Sequence, residues 1–121
     1  PVMNARRGQV YNALFDANGK RLCEDRALAA SELAKELENE NKTVYLVGDG
    51  VDVALPCFSG RGNINVAPGR QVYPSGYAVA MCGLEAYRRG ETVTDAELAP
   101  TYLRMPQAER ERLEKEKNKN I

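Results

Sequence analysis

Residues 9–16 alternate in character, and that alternation, with the turn that ends it, constrains the fold more than any other feature of the chain. Val10, Asn12 and Leu14 fall on one face and Tyr11, Ala13 and Phe15 on the other, the period of two that marks a strand. Ala17-Asn18-Gly19-Lys20 follows, and Asn-Gly is the strongest short-range hairpin signal because both residues accept positive φ. The returning strand is predicted over about residues 20–28, with Leu22 and Leu28. A short apolar strand over residues 2–5 precedes the pair, joined to it by a second tight turn, Arg6-Arg7-Gly8. Three antiparallel strands therefore come first.

The next segments change period. Ser31 is placed to cap a helix whose Leu33, Ala34 and Leu37 form one face. Thr43 to Val47 is a compact β-rich run, read as a buried strand, and it ends in Gly48-Asp49-Gly50. Residues 51–58 make a short apolar helix or turn interrupted by Pro56, and Asn63 to Ala67 form another brief strand closed by Pro68-Gly69. Ser75, after Pro74, caps a longer helix with Tyr77, Met81 and Leu84 on one face, stopped by Gly90. The order β-β-β-α-β-α-β-α predicts an α/β domain over residues 1–104, a mixed sheet flanked by helices. It matches the ribonuclease H-like fold and equally one lobe of the actin-like ATPase (ASKHA) fold that duplicates it. Residues 105–121 form a charged tail, helical or disordered: residues 107–121 hold five Lys/Arg and four Glu, with only Ala108, Leu113 and Ile121 apolar. Glu111 and Lys115 stand at a favourable helical spacing there.

Composition narrows function by exclusion. The chain has 121 residues, with 17 Lys+Arg against 17 Asp+Glu, and the zero net charge argues against a dedicated nucleic-acid or membrane-surface binder. Histidine is absent, which removes His-based acid/base catalysis, Ser-His and Cys-His nucleophiles and most zinc sites. Cys23, Cys57 and Cys82 form no Cys-x-x-Cys pair and read as free thiols acting as small hydrophobes, at home in a reducing cytoplasm. No apolar run reaches the ~18 residues of a membrane span, and the first residues carry no signal-peptide pattern.

Few constellations bear chemistry. A nuclease of this fold needs carboxylates converging on two Mg²⁺ ions. Glu32 or Glu36, Asp49 and Glu85 fill three of the places, but the first strand offers Asn4, and a neutral amide is a poor ligand for a hard cation. No metal site and no catalytic residue is therefore assigned. Gly48, Asp49 and Gly50 form a candidate phosphate contact, with Asp49 facing Mg²⁺ or a ribose, although the same composition makes a tight strand-to-helix turn. Arg6 and Arg7 are either a solvated hairpin tip or a contact for RNA phosphate or a partner subunit. Arg88-Arg89 closes a helix whose dipole favours cations there. Tyr11, Tyr45 and Tyr77 lie at core-facing spacings and read as packing rather than base stacking.

Several of these stretches together resemble one family. Asn4-Ala5-Arg6-Arg7-Gly8-Gln9-Val10-Tyr11, the Gly48-Asp49-Gly50 loop, and Thr94-Asp95-Ala96-Glu97-Leu98-Ala99-Pro100-Thr101-Tyr102-Leu103-Arg104 are similar to the second half of the TsaB (YeaZ) family. The Pro-x-Tyr-Leu-Arg ending is the most specific piece, and the Ala-Arg-Arg-Gly-x-Val-Tyr hairpin the next. The resemblance spans roughly residues 1–104 and implies a non-catalytic, cytoplasmic scaffold subunit. Its sister enzyme of the TsaD type transfers a threonylcarbamoyl group to N6 of the adenosine beside the anticodon of tRNA, with a TsaE-type ATPase in the same complex. It also implies that tRNA is contacted only indirectly, that a homodimer is an alternative assembly, and that the chain is a C-terminal lobe whose first lobe is missing. ATP would be held only together with that first lobe or the sister subunit. The family usually has Asp where Asn4 stands, which weakens any metal-assisted role. Two other readings stay open: a nucleotide-binding, actin-like phosphotransferase using Asp49, and a small RNA-binding module using Arg6, Arg7 and the tail.

Overall fold

The computed structural model describes residues 1–119, so Asn120 and the apolar Ile121 of the tail lie outside the described residues. Its elements are β1 (Val2–Asn4), β2 (Gln9–Asn12), β3 (Arg26–Ala29), α1 (Ala30–Glu36), β4 (Val44–Leu46), α2 (Val51–Ala54), β5 (Ile64–Val66), α3 (Gly76–Arg88) and α4 (Gln107–Lys119). Single 3-10 turns stand at Leu55–Phe58 and Gly69–Gln71. The protein is mixed α/β. No helix among the described residues is long and apolar enough to cross a membrane.

The strands form two small sheets rather than one. β1, β2 and β3 make an antiparallel sheet in that order, with Val2 opposite Asn12 and Val10 opposite Leu28, while β4 and β5 pair in parallel. Backbone bonds nevertheless join the two sheets. The Val2 N–H donates to the Val47 carbonyl at 2.7 Å, and the Val2 carbonyl accepts from the Gly50 N–H at 3.0 Å. That is the direction of a parallel ladder widened by one residue. By backbone bonds, the segment that follows β4 therefore meets β1 at Val2 alone among the described residues.

The Asn-Gly hairpin forms, with Gly19 but not Asn18 at positive φ, and Asp16 organises it. Its Oδ1 accepts from the N–H groups of Asn18 and Lys20, and Gly19 takes φ 79°. The returning strand is shorter than predicted. After the Phe15–Arg21 bridge the chain leaves the ladder, and pairing with β2 resumes only at Arg26. Cys23 sits in the gap, where its Sγ accepts from the Leu14 N–H at 3.2 Å.

One face of the strands is packed. Val2, Val10, Leu33, Ala34, Leu46, Val51, Ala54 and Phe58 bury together, which gives α1 and α2 their apolar faces. Ser31 lies inside α1 and does not cap it; Glu32 reaches back instead, and its Oε2 accepts from the Ala29 N–H at 3.0 Å. Asn12 is the one polar residue in this core among the described residues. Its amide donates to the carbonyls of Pro1 and Ala13, and its Oδ1 accepts from Arg26, which in turn pairs with Glu36 at 2.8 Å. Both ends of the amide are thus satisfied, which burial requires.

The other half of the chain departs from expectation. Ser75 caps α3 as predicted, its hydroxyl accepting from the Ala78 N–H at 3.1 Å. Yet no residue of α3 is buried, and Tyr77 is 77% exposed. The apolar spacing of Tyr77, Met81 and Leu84 is real, but among the described residues no element buries it. Tyr45 is 60% exposed as well, so of the three tyrosines read as packing only Tyr11 is even half-buried. Cys57 and Cys82 are likewise exposed rather than lodged in apolar surroundings. The tail is helical as α4, held by Arg112–Glu116 at 3.0 Å rather than by a Glu111–Lys115 pair.

Candidate functional site

The residues singled out from the sequence meet at one end of the strands. β1 ends at Asn4, whose N–H donates to Asp49 Oδ1 at 2.9 Å and whose own Oδ1 accepts from the Arg6 N–H at 2.8 Å. Arg6, Arg7 and Gly8 then take φ 64°, 54° and 72°, three left-handed residues in succession. For an arginine this region costs about 1–2 kcal/mol. The turn is fastened at several points: Ala5 N–H to Gln9 carbonyl at 2.9 Å, Gln9 N–H to Arg6 carbonyl at 3.0 Å, and Ala30 N–H to Gly8 carbonyl at 3.0 Å. From the far end of the sequence, the Arg104 guanidinium donates to the Ala5 carbonyl. The side chains of Arg6 and Arg7 stand exposed beyond these ties.

The Gly48-Asp49-Gly50 loop lies beside this turn, and its glycines have a packing reason. A Cβ on Gly48 would collide with the Val2 carbonyl, and one on Gly50 would stand 2.9 Å from the Met3 carbonyl carbon. Gly48 also takes φ 109°, which only glycine adopts with ease. Both glycine N–H groups already have acceptors: Gly48 donates to Val72 at 2.6 Å and Gly50 to Val2 at 3.0 Å. They are therefore not free to cradle a phosphate, and Asp49 is turned toward the β1 backbone. The arrangement accounts for the loop as a joint between β4 and β1.

The carboxylates weighed as metal ligands are engaged separately. Glu32 holds the start of α1, Glu36 pairs with Arg26, Glu85 lies 3.6 Å from Arg89, and Asp49 holds Asn4. Arg89 closes α3 and pairs with Glu91 at 3.0 Å, so its guanidinium is held further toward the charged form by that bond. Arg61 stacks over Phe58, its guanidinium carbon 5.3 Å from the ring centre.

A second feature had no local sequence signal. The unpacked side of the antiparallel sheet forms the floor of an open groove of about 1060 Å³, floored by Met3, Tyr11 and Phe15 and walled by Val72, Tyr73 and Leu103. Its lining comes from residues scattered between Pro1 and Leu103, so no single stretch announces it. The Arg104–Ala5 contact is equally invisible locally, because it spans 99 positions. Neither a protein-family model nor a curated protein sequence matches the chain.

Proposed function

We propose that the protein is a non-catalytic subunit of the TsaB (YeaZ) type, a ribonuclease H-like lobe of the actin-like ATPase superfamily. In this reading it supports a TsaD-type enzyme in threonylcarbamoylation of tRNA. One observation carries the reading: Arg104 binds the Ala5 carbonyl. It ties the Pro-x-Tyr-Leu-Arg ending to the Ala-Arg-Arg-Gly hairpin, the two most specific stretches of the resemblance, into one unit. The element order β1-β2-β3-α1-β4-α2-β5-α3 supports the lobe assignment, since it repeats the order that the fold requires. The open apolar faces of α3 and of the groove support a place in an assembly, because monomers rarely leave contiguous apolar surface uncovered.

The test is reconstitution. A TsaD-type enzyme and a TsaE-type ATPase are supplied with unmodified tRNA and a threonylcarbamoyl donor, with and without this protein, and modified nucleoside is quantified by mass spectrometry. The expected result is no product from this protein alone and a clear rise when it joins the other two. No rise in the complete mixture would sink the reading.

A further inference from the structure

We propose that the Arg6-Arg7-Gly8 turn is an oxyanion site that grips neighbouring phosphates of a nucleic-acid backbone. The backbone geometry does not itself call for arginine. Both residues stand at positive φ, where glycine or asparagine is at ease and a longer side chain is strained. Strain kept at an exposed position needs a compensating use, and here the side chains are the only part that glycine would lack.

The turn is held and its charges are left free. Asn4 fixes the Arg6 N–H, Arg104 fixes the Ala5 carbonyl, and Ala30 fixes the Gly8 carbonyl. Arg21, Arg26, Arg89 and Arg112 each pair with a carboxylate, whereas Arg6 and Arg7, like Arg70 and Arg88, pair with none among the described residues. Asp49, the acidic group of this network, gives its Oδ1 to the Asn4 N–H. The N–H groups of Arg7 and Gly8 also lack a protein acceptor among the described residues. Successive backbone N–H groups in such turns form anion-binding concavities, and guanidinium forks match phosphate oxygens in pairs.

A nucleic-acid backbone fits better than an acidic protein surface. Asn4, Arg6, Arg7 and Gly8 are all exposed and offer no apolar or aromatic anchor, whereas protein interfaces centre on such anchors and deplete charge around them. Adjacent phosphates present two anions to two adjacent arginines without one. The zero net charge of the chain adds no general attraction for a polyanion, so the contact rests on this tip alone. The assignment goes beyond the scaffold reading, in which tRNA is met only indirectly, and stands without it.

Fluorescence anisotropy with a labelled single-stranded oligouridylate, read across a salt series, tests the site. Neutralising two phosphates contributes about −1.4 to the log–log salt slope of a single strand. The variant Arg6→Gly/Arg7→Gly removes both cations at positions where glycine is unstrained, so the fold is retained. Its slope should be shallower by about 1.4 and its affinity at the lowest salt reduced at least about tenfold. Arg6→Asn/Arg7→Asn should behave alike, which separates loss of charge from added backbone freedom. Unchanged binding in both variants, or wild-type protein that fails to bind the oligomer at low salt, would overturn the proposal. So would equal displacement of the RNA by polyglutamate, which would assign the tip to an acidic protein. The reconstitution assay above does not read this contact, so the two ideas fail separately.

Discussion

Asn4 and Gly48 show how much single positions decide at the candidate site. Asn4 uses its backbone N–H and its side chain in different directions, one to Asp49 and one to Arg6, so strand, loop and turn are fixed through one residue. Gly48 allows β4 to approach the Val2 carbonyl, with a φ that other residues resist. Gly48→Ala is therefore expected to destabilise the fold by at least about 2 kcal/mol, from the backbone conformation and the collision together. Alanine at Gly62, where the space is open, supplies the control and should change stability by less than about 1 kcal/mol. Urea denaturation followed by circular dichroism reads both, and a harmless Gly48→Ala would mean that the strands do not approach as described. The sequence showed the Gly-Asp-Gly triplet plainly, yet composition alone left two uses for it. Only the position of the Val2 and Val72 carbonyls, from distant stretches, shows that the Gly48 and Gly50 N–H groups join β1 and the loop before α3.

The elements themselves were largely legible where their signals are local. The Asn18-Gly19 hairpin, the Ser75 cap and the strand over Val44–Leu46 depend on residues within a few positions of one another. The shortened return of β3 was not legible, because the Cys23 bond that occupies the gap depends on register with Leu14. Ser31 misled for a related reason: Glu32 competes for the same helix start and reaches the Ala29 N–H. A further local device follows α3. Glu97 accepts from the Thr94 N–H at 2.8 Å and the Thr94 hydroxyl at 2.9 Å, and these bonds, the backbone one foremost, hold its carboxyl below the usual range. A lowered carboxyl pKa favours the bonded turn at pH above the unfolded value, and the preference is lost as pH falls through the lowered one. The carboxyl carbon of Glu97, followed by NMR, should titrate with a midpoint below that of an ordinary exposed glutamate. In Thr94→Val the midpoint should rise part of the way back, since the backbone donor remains. An ordinary midpoint in the unaltered protein would show that the turn is open in solution.

At the scale of the whole molecule, surface is the outstanding quantity. The chain exposes 9676 Å², where a compact monomer of this mass exposes about 6,500 Å². The excess lies over α3 and the residues that follow it, whose apolar side chains Tyr77, Val79, Tyr87, Leu98 and Tyr102 are all exposed. Small-angle scattering on dilute protein should accordingly give a radius of gyration clearly above the about 14 Å of a compact chain of this length. A value at about 14 Å would mean that α3 and the residues after it pack down on the rest of the chain in solution. An open surface of this size is also what a subunit of an assembly would present, and the reconstitution experiment addresses that reading directly.

By itself the sequence determined the order of elements, the α/β class, the two tight turns and the loss of histidine chemistry. Each of these rests on interactions within a few residues, or on composition, and needs no knowledge of how distant segments meet. Tertiary structure decided the rest: that Arg104 reaches Ala5, that Asp49 faces β1, and that the apolar ridge of α3 is left unburied among the described residues. The physical reason is that hydrophobic spacing states which face of a helix would profit from burial, while burial itself requires a second surface. Such a surface is contributed by other parts of a fold or by a partner, and no periodicity within the helix records whether it is there.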